Sequence, residues 1–227
     1  MRKKVFYTEL SYIIGLVLLA LSAALMEKAD FGLSMVVAPA YLLHLKVSQL
    51  LPFFSFGMAE YTLQAVLLIL MVVVLRKFKL SYLFSFVTAV LYGIILDFMI
   101  MCVSYIPCET ITVRIVSYIL GLLGCSTGVS LLFHTYIAPE VYELFVKEVS
   151  VKLGININRF KSIYDLTSCF IAIIMSFVFF GLWHFEGVKL GTVICALLNG
   201  FTIGMFSKVF EKHFDFKDKF NLRKYFE

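Results

Sequence analysis

Charged residues are scarce in this sequence. They make up 15% of its 227 residues, against about 25% in an ordinary soluble domain. Hydrophobic residues reach 61% and the mean hydropathy is +0.94, where roughly 45–50% apolar content is usual. This composition excludes a soluble globular domain. The formal net charge of +5 therefore gives no reason to expect a nucleic-acid partner, and the charges must be interpreted by their position relative to membrane spans.

Cysteine is also scarce, and its count of five is odd. Cys125, Cys169 and Cys195 lie inside apolar stretches with helical patterns, which excludes a disulfide framework. Only Cys102 and Cys108 fall near a loop, and their spacing leaves a bridge between them open.

Motifs for catalysis and for metal binding are absent. The sequence has no phosphate loop, no zinc-ligand spacing and no nucleophile elbow, and its four histidines do not pair with carboxylates at ligand spacing. We therefore expect no enzyme, no cofactor and no metal.

Long apolar runs dominate the chain instead. A helix needs about 20 residues to cross a hydrocarbon core of roughly 30 Å, and six segments meet this requirement: 8–26, 57–75, 80–104, 112–134, 162–183 and 188–207. The first follows a basic start, but its length and the later spans favour an uncleaved span over a signal peptide. The prediction is an all-α polytopic membrane helix bundle, with 1–227 forming one membrane domain in the lipid bilayer.

Two shorter helical segments, 35–50 and 138–153, remain outside these spans, and each contains Ala-Pro. Proline is well tolerated at the first helical position, so Pro39 and Pro139 are predicted to start helices. Each helix either lies flat in the interface or is re-entrant, with its N-terminus facing a solute. The continuous polar stripe of 138–153 favours the flat orientation there, and for 35–50 both remain open.

Basic residues are distributed unevenly between the loops. With the N-terminus inside and six spans, the inner side holds most of the 20 Lys and Arg residues. The outer side holds only Lys28, Lys46, Arg114 and Lys189. The positive-inside rule thus predicts a cell-membrane protein with both termini cytoplasmic. The tail 208–227 is expected to be cytoplasmic, either lying on the membrane surface or solvated.

The order of elements repeats along the chain. Unit one (8–104) and unit two (112–207) each have a span, an Ala-Pro helix and two more spans. Because three spans is an odd number, the second unit would be inverted relative to the first, giving a 3+3 inverted repeat. Transporters commonly have this architecture, with the solute site near the repeat interface.

Ionisable residues inside spans are costly and are therefore the first candidates for a solute or ion path. Asp97 in the third span is the strongest, with a carboxylate satisfied by a neighbouring hydroxyl as the alternative. Glu60 near the outer end of span two and Asp165 near the inner end of span five have matching positions that suit two gates or a proton relay, although ordinary end-of-helix charges are favoured for each. Arg159 or Lys161 could pair with Asp165. The remaining candidates for the path are Asn199, which could instead serve helix packing, and the two prolines.

Small residues recur at four-residue spacing, which lets helix backbones approach closely. The three pairs predicted to mediate helix packing are Ala20 and Ala24, Gly124 and Gly128, and Gly200 and Gly204.

Several short motifs resemble the bacterial YczE/YitT-like membrane proteins. They are Ala29-Asp30-Phe31-Gly32-Leu33-Ser34, Ala38-Pro39, Tyr92-Gly93 through Asp97, Lys161 through Asp165, and Gly191-Thr192. The resemblance implies a bacterial multi-pass inner-membrane protein and supplies no catalytic residues.

Three functions fit these observations. The first is a small-solute permease or secondary transporter. The second is a substrate-binding subunit similar to the S components of energy-coupling-factor transporters, where Ala20-xxx-Ala24 would dock the partner. The third is a non-transporting accessory protein that binds a membrane partner or a second copy of itself, and it predicts no internal polar cavity.

Overall fold

A computed structural model describes residues 3–181, 186–220 and 223. The described part contains eight helices and two short strands: β1 (Lys4–Tyr7), α1 (Thr8–Ala29), α2 (Ala38–Val47), α3 (Phe56–Leu75), α4 (Ser81–Ser104), α5 (Ile111–Leu132), α6 (Val141–Leu153), α7 (Ile157–Phe180), α8 (Leu190–His213) and β2 (Phe214–Lys217).

The six longest helices are long and apolar enough to cross a membrane, which confirms the all-α polytopic bundle. The predicted span boundaries differ most from the observed helices in the second half of the chain. There α7 begins before position 162 and α8 continues to His213, into the predicted tail. Residues 182–183 of the predicted fifth span lie outside the described residues.

Helices α1 and α5 form the antiparallel centre of the bundle. Their backbones approach so closely that a Cβ on Gly128 would lie 2.8 Å from the carbonyl oxygen of Gly15. Gly124 contacts α1 as well, through Ser22. The buried residues Ala20 and Ala24 belong to the same well-packed helix. Gly124 and Gly128 therefore lie where α5 approaches α1 closely, as small residues allow.

The two ends of the chain meet in a parallel two-stranded ribbon, β1 with β2. The ring of Phe6 lies against the rings of Phe214 and Phe216. The beginning of the predicted tail thus pairs with the N-terminal strand. We call the side of the bundle that carries this ribbon the terminal face.

Side-chain hydrogen bonds next to the ribbon also join the N-terminal and C-terminal segments. The hydroxyl of Thr8 donates to Asp218 Oδ1 at 2.8 Å, and Arg223 Nε donates to Asp218 Oδ2 at 2.8 Å. The hydrogen bonds from Arg223 hold the pKa of Asp218 below its usual range.

Helix α6 runs beside the half of α3 that is nearer to the terminal face. At its C-terminal end, Lys152 Nζ donates to the carbonyl oxygens of Val74 and Leu75, where α3 ends. At its other end, the backbone N–H of Val141 donates to Gln64 Oε1 at 3.0 Å, in the middle of α3. Thirteen residues give a length of about 20 Å. The helix is therefore re-entrant, and its N-terminus lies at mid-depth.

The flat orientation favoured for 138–153 is not what these contacts show. The polar stripe of this segment includes Glu140 and Glu143, which bind Gln64 and Lys161 inside the bundle. An amphipathic pattern shows which side is polar, but it does not show whether water or protein covers that side.

Helix α2 has the corresponding place beside α7. The Ser168 hydroxyl, in the middle of α7, donates to the carbonyl oxygen of Met35 just before α2. Lys46 near the end of α2 donates to the carbonyl oxygen of Phe179. Thus α2 enters from the face opposite the terminal face, and its N-terminus also lies at mid-depth.

Helices α3 and α4 cross at two glycines. A Cβ on Gly57 would lie 2.0 Å from the carbonyl oxygen of Gly93. Gly200 and Gly204 on α8 differ, because a Cβ at either would meet nothing within 4 Å among the described residues. The packing role predicted for this last pair is therefore not seen inside the chain.

The first prediction compares these glycines. Gly57→Ala should lower the free energy of unfolding by about 1–3 kcal/mol, because the methyl group meets backbone that cannot move aside. Gly200→Ala, also in a helix, should leave stability unchanged or raise it. Thermal unfolding in detergent measures both, and equal effects of the two changes would contradict the packing described here.

Candidate functional site

Gln64 joins the middle of α3 to the start of α6. Its side chain is fully buried, its Nε2 donates to Glu140 Oε2 at 3.0 Å, and its Oε1 accepts the N–H of Val141. Glu140 is the N-cap residue of α6. Pro139 thus precedes the helix rather than starting it, whereas Pro39 lies in the first turn of α2.

Glu60 is buried one turn before Gln64 on α3. It is 0% exposed, although its position near the end of a span favoured an ordinary end-of-helix charge. The Tyr142 hydroxyl donates to Glu60 Oε2 at 2.9 Å. The other oxygen, Oε1, has no hydrogen-bond partner among the described residues.

Lys161 on α7 supplies positive charge to this region. Its Nζ lies 3.6 Å from Glu143 Oε1 and 3.8 Å from Asp165 Oδ1. The predicted pairing of Lys161 with Asp165 is therefore present, and the amine is shared with a second carboxylate from α6.

A cavity of about 70 Å³ lies where the two short helices begin. One water needs about 10–15 Å³, so the cavity can hold several. Both helix starts contribute to its wall, through Val37 and Pro139. Its polar and ionisable lining includes Tyr92, Cys125, Glu140, Glu143, Lys161 and Asn199.

The cavity extends toward the terminal face. Cys125, Val129 and Phe133 line it on successive turns of α5, and α5 ends at that face. A second, apolar cavity of about 150 Å³ lies between α3 and α7, and its lining includes Pro39 and Tyr142.

Glu60 and Glu140 are not balanced by a basic group. In the described part of the chain, no Lys, Arg or His nitrogen forms an ion pair with either carboxyl. Removing one ionised carboxylate from water carries an effective penalty of several kcal/mol. Keeping a glutamate protonated at pH 7 costs about 4 kcal/mol, given a reference pKa of about 4.3. Each of these buried carboxyls therefore costs several kcal/mol in either protonation state.

Asp97 has a different environment from the one expected of a path residue. The Gly57 N–H donates to Asp97 Oδ1 at 2.8 Å, and the Ser55 hydroxyl donates to Asp97 Oδ2 at 2.5 Å. Ser55 itself caps α3 by accepting the N–H of Met58. Asp97 thus holds the beginning of α3, and it is absent from the lining of both cavities.

Asn199 contributes both to the cavity wall and to the packing of α8 on α5. It lines the cavity, and its Oδ1 accepts from the Ser126 hydroxyl at 3.1 Å. Further polar contacts between α5 and α8 continue toward the terminal face, from Ser130 to Ser207 and from His134 to Glu211.

Motifs that are distant in sequence meet at the opposite face. The N–H of Gly191 donates to the carbonyl oxygen of Phe31 at 2.9 Å. Gly32 has a φ of +109°, and a Cβ there would lie 2.5 Å from Thr192 Oγ1. Only glycine fits this turn without strain. Arg114 and Lys189 both bind Asp30 in the same turn.

The structure adds no sign of a metal or of a disulfide. In residues 3–181, 186–220 and 223, no group of three or more His, Cys, Asp or Glu side chains could hold a metal ion. All five cysteines are free thiols, including Cys102 and Cys108.

Sequence comparison places the chain in a family. Residues 6–208 match a family of unknown function, DUF6198, and the chain belongs to it. This match does not extend to the YczE/YitT-like proteins, which remain a resemblance. No curated protein and no solved structure gives a significant match.

The second prediction concerns Asp97 as a helix cap. Asp97→Ala should lower the free energy of unfolding by about 0.5–2 kcal/mol, because the N–H of Gly57 loses its acceptor. Asp97→Asn keeps an acceptor oxygen and should lose less. Denaturant unfolding in detergent checks both. Equal losses for the two variants would show that the charge, and not the cap, is what matters.

Proposed function

We propose that this member of the DUF6198 family is a small-solute permease or secondary transporter of the cell membrane. One observation carries the proposal: two half-length helices enter the bundle from opposite faces, and their N-termini meet at a cavity lined by Glu140, Glu143 and Lys161. Irregular backbone at membrane depth is tolerated where it is buried or lines a water-filled cavity. Solute sites of secondary transporters have this construction.

We also propose that the two units are an inverted repeat. Their contacts support it: α6 lies along the terminal half of α3, and α2 lies along the opposite half of α7. Helices α1 and α5, the first of each unit, pair at the centre. One difference stands out, because α3 packs closely on α4, while no comparable contact joins α7 and α8 within the described residues.

The two alternative functions receive less support. Docking of an S component would require an accessible Ala20-xxx-Ala24 surface, but both alanines are 0% exposed within this chain. An accessory protein without transport needs no internal cavity, so the cavity described above favours the transport proposal over this alternative.

The third prediction uses Cys125 as a reporter of the cavity. In a variant whose other four cysteines are replaced by alanine, a small hydrophilic methanethiosulfonate reagent should modify Cys125, because thiolate forms only where water reaches the sulfur. The reaction should be faster from the terminal face, toward which the cavity extends.

A variant that retains only Cys195 is the matched control. Cys195 is 0% exposed and does not line the cavity, so it should react at least about tenfold more slowly. If Cys125 is as unreactive as Cys195 from both sides, no aqueous path reaches the cavity and the transport proposal fails.

The fourth prediction concerns orientation. Cys102 is exposed at the end of α4, on the face opposite the paired termini. With cytoplasmic termini, an impermeant thiol reagent added to intact cells should label a variant that retains only Cys102. The same reagent should not label an Asp215→Cys variant in β2 whose native cysteines are replaced by alanine. The reverse pattern would overturn the proposed topology.

A further inference from the structure

The carboxyls around the cavity fall into two groups. Glu143 and Asp165 share the amine of Lys161, at 3.6 and 3.8 Å. Glu60 and Glu140 receive only neutral donors, Tyr142 and Gln64 respectively. The first group has a counter-ion, whereas the second has none among the described residues to offset the desolvation of a charged carboxylate.

The two unbalanced carboxyls differ in their access to water. Glu140 forms part of the cavity wall. Glu60 is fully buried, and the cavity wall does not include it. A proton on Glu140 can therefore exchange with cavity water, while a proton on Glu60 stays enclosed.

The surroundings of Glu140 also suit its ionised form. It is the N-cap residue of α6, where the helix dipole favours negative charge, and Gln64 Nε2 donates to its Oε2 at 3.0 Å. The carbonyl oxygen of the protonated acid can accept the same hydrogen bond, so Gln64 can bind either protonation state. This is what a group needs if it takes up and releases a proton repeatedly.

We infer that Glu140 is the protonation site that couples transport to proton movement. The carboxyl of Glu140 releases its proton to a water on one side of the membrane, leaving a carboxylate and a hydrated proton, and later takes up another proton from water on the other side. The inference rests on the proposed function, to which it adds the coupling ion.

Other polar and titratable groups face Glu140 from every helix that surrounds the cavity. Lys161 is the one basic side chain among the cavity-lining residues, and two other carboxylates engage it. The groups are Tyr12 on α1, Ser34 just before α2, Glu60 and Gln64 on α3, Tyr92 on α4, Cys125 on α5, Tyr142 and Glu143 on α6, Lys161, Tyr164 and Asp165 on α7, and Asn199 on α8.

Infrared difference spectroscopy of the full chain in lipid vesicles tests the inference without a known solute. Between pH of about 5 and about 9, the wild type should show a C=O stretching band of a protonated carboxylic acid that titrates and shifts in heavy water. Isotope labelling of the glutamate carboxyl carbons should move this band, a result that needs no variant.

Two variants assign the band. Glu140→Gln should remove the titrating band, whereas Glu143→Gln, one turn away and paired with Lys161, should retain it. Loss of the band in Glu60→Gln alone would overturn the assignment to Glu140. A band that depends on sodium concentration and not on pH would overturn the proton as the coupling ion.

The outcome also separates this inference from the function on which it rests. If Cys125 is reactive but no glutamate band titrates, the transport proposal stands and proton coupling is overturned. If the band titrates but Cys125 is unreactive from both sides, the aqueous path fails and so does the coupling.

Discussion

A half-length helix that ends inside a membrane leaves backbone N–H groups with no water to bind them. Gln64 meets this constraint for α6: one amide group accepts the N–H of Val141 and donates to the carboxyl of Glu140. Without such a partner the helix would be more stable flat in the interface, where water satisfies its first turn. The start of α6 at mid-depth therefore depends in part on this buried amide, alongside the contacts of Tyr142 with Glu60 and of Glu143 with Lys161.

The second short helix satisfies the same constraint with different chemistry. Ser34 and Ser168 provide its local contacts: the Ser34 carbonyl accepts the N–H groups of Val37 and Ala38, and Ser168 binds the carbonyl of Met35. No acidic residue lies in the first turn of α2, while α6 has Glu143 there and Glu140 as its cap. The two helix starts that meet at the cavity are thus alike in geometry and unlike in charge. Both acidic residues that line the cavity, Glu140 and Glu143, come from the second half of the chain, so the proposed solute site would be asymmetric in charge within the proposed inverted repeat.

Hydropathy was sufficient to predict the six spans, because the cost of exposing polar backbone to lipid leaves few other structures for long apolar runs. It could also show that 35–50 and 138–153 are too short or too polar to cross. The orientation of 138–153 could not be predicted, since its polar side is covered by Gln64, which is distant in sequence, and by Lys161, which belongs to the next helix. Asp97 was the strongest candidate for the path because a carboxylate inside a span is unusual. The sequence could not show whether such a carboxylate binds a solute or caps a neighbouring helix. Gln64 was not predicted as a site residue, because a single uncharged amide in a span is not unusual.

The side chain at position 140 is the part of the site that packing alone does not explain. A glutamine there could accept the same hydrogen bond from Gln64 and would avoid the desolvation of a carboxylate. The acid is therefore not required to hold α6 in place. Where a buried group departs from what stability favours, function is the expected reason, and the chemical difference between the acid and the amide is the ability to release a proton. That difference matters only if water reaches Glu140, which is why the cavity and the carboxyl have to be understood together.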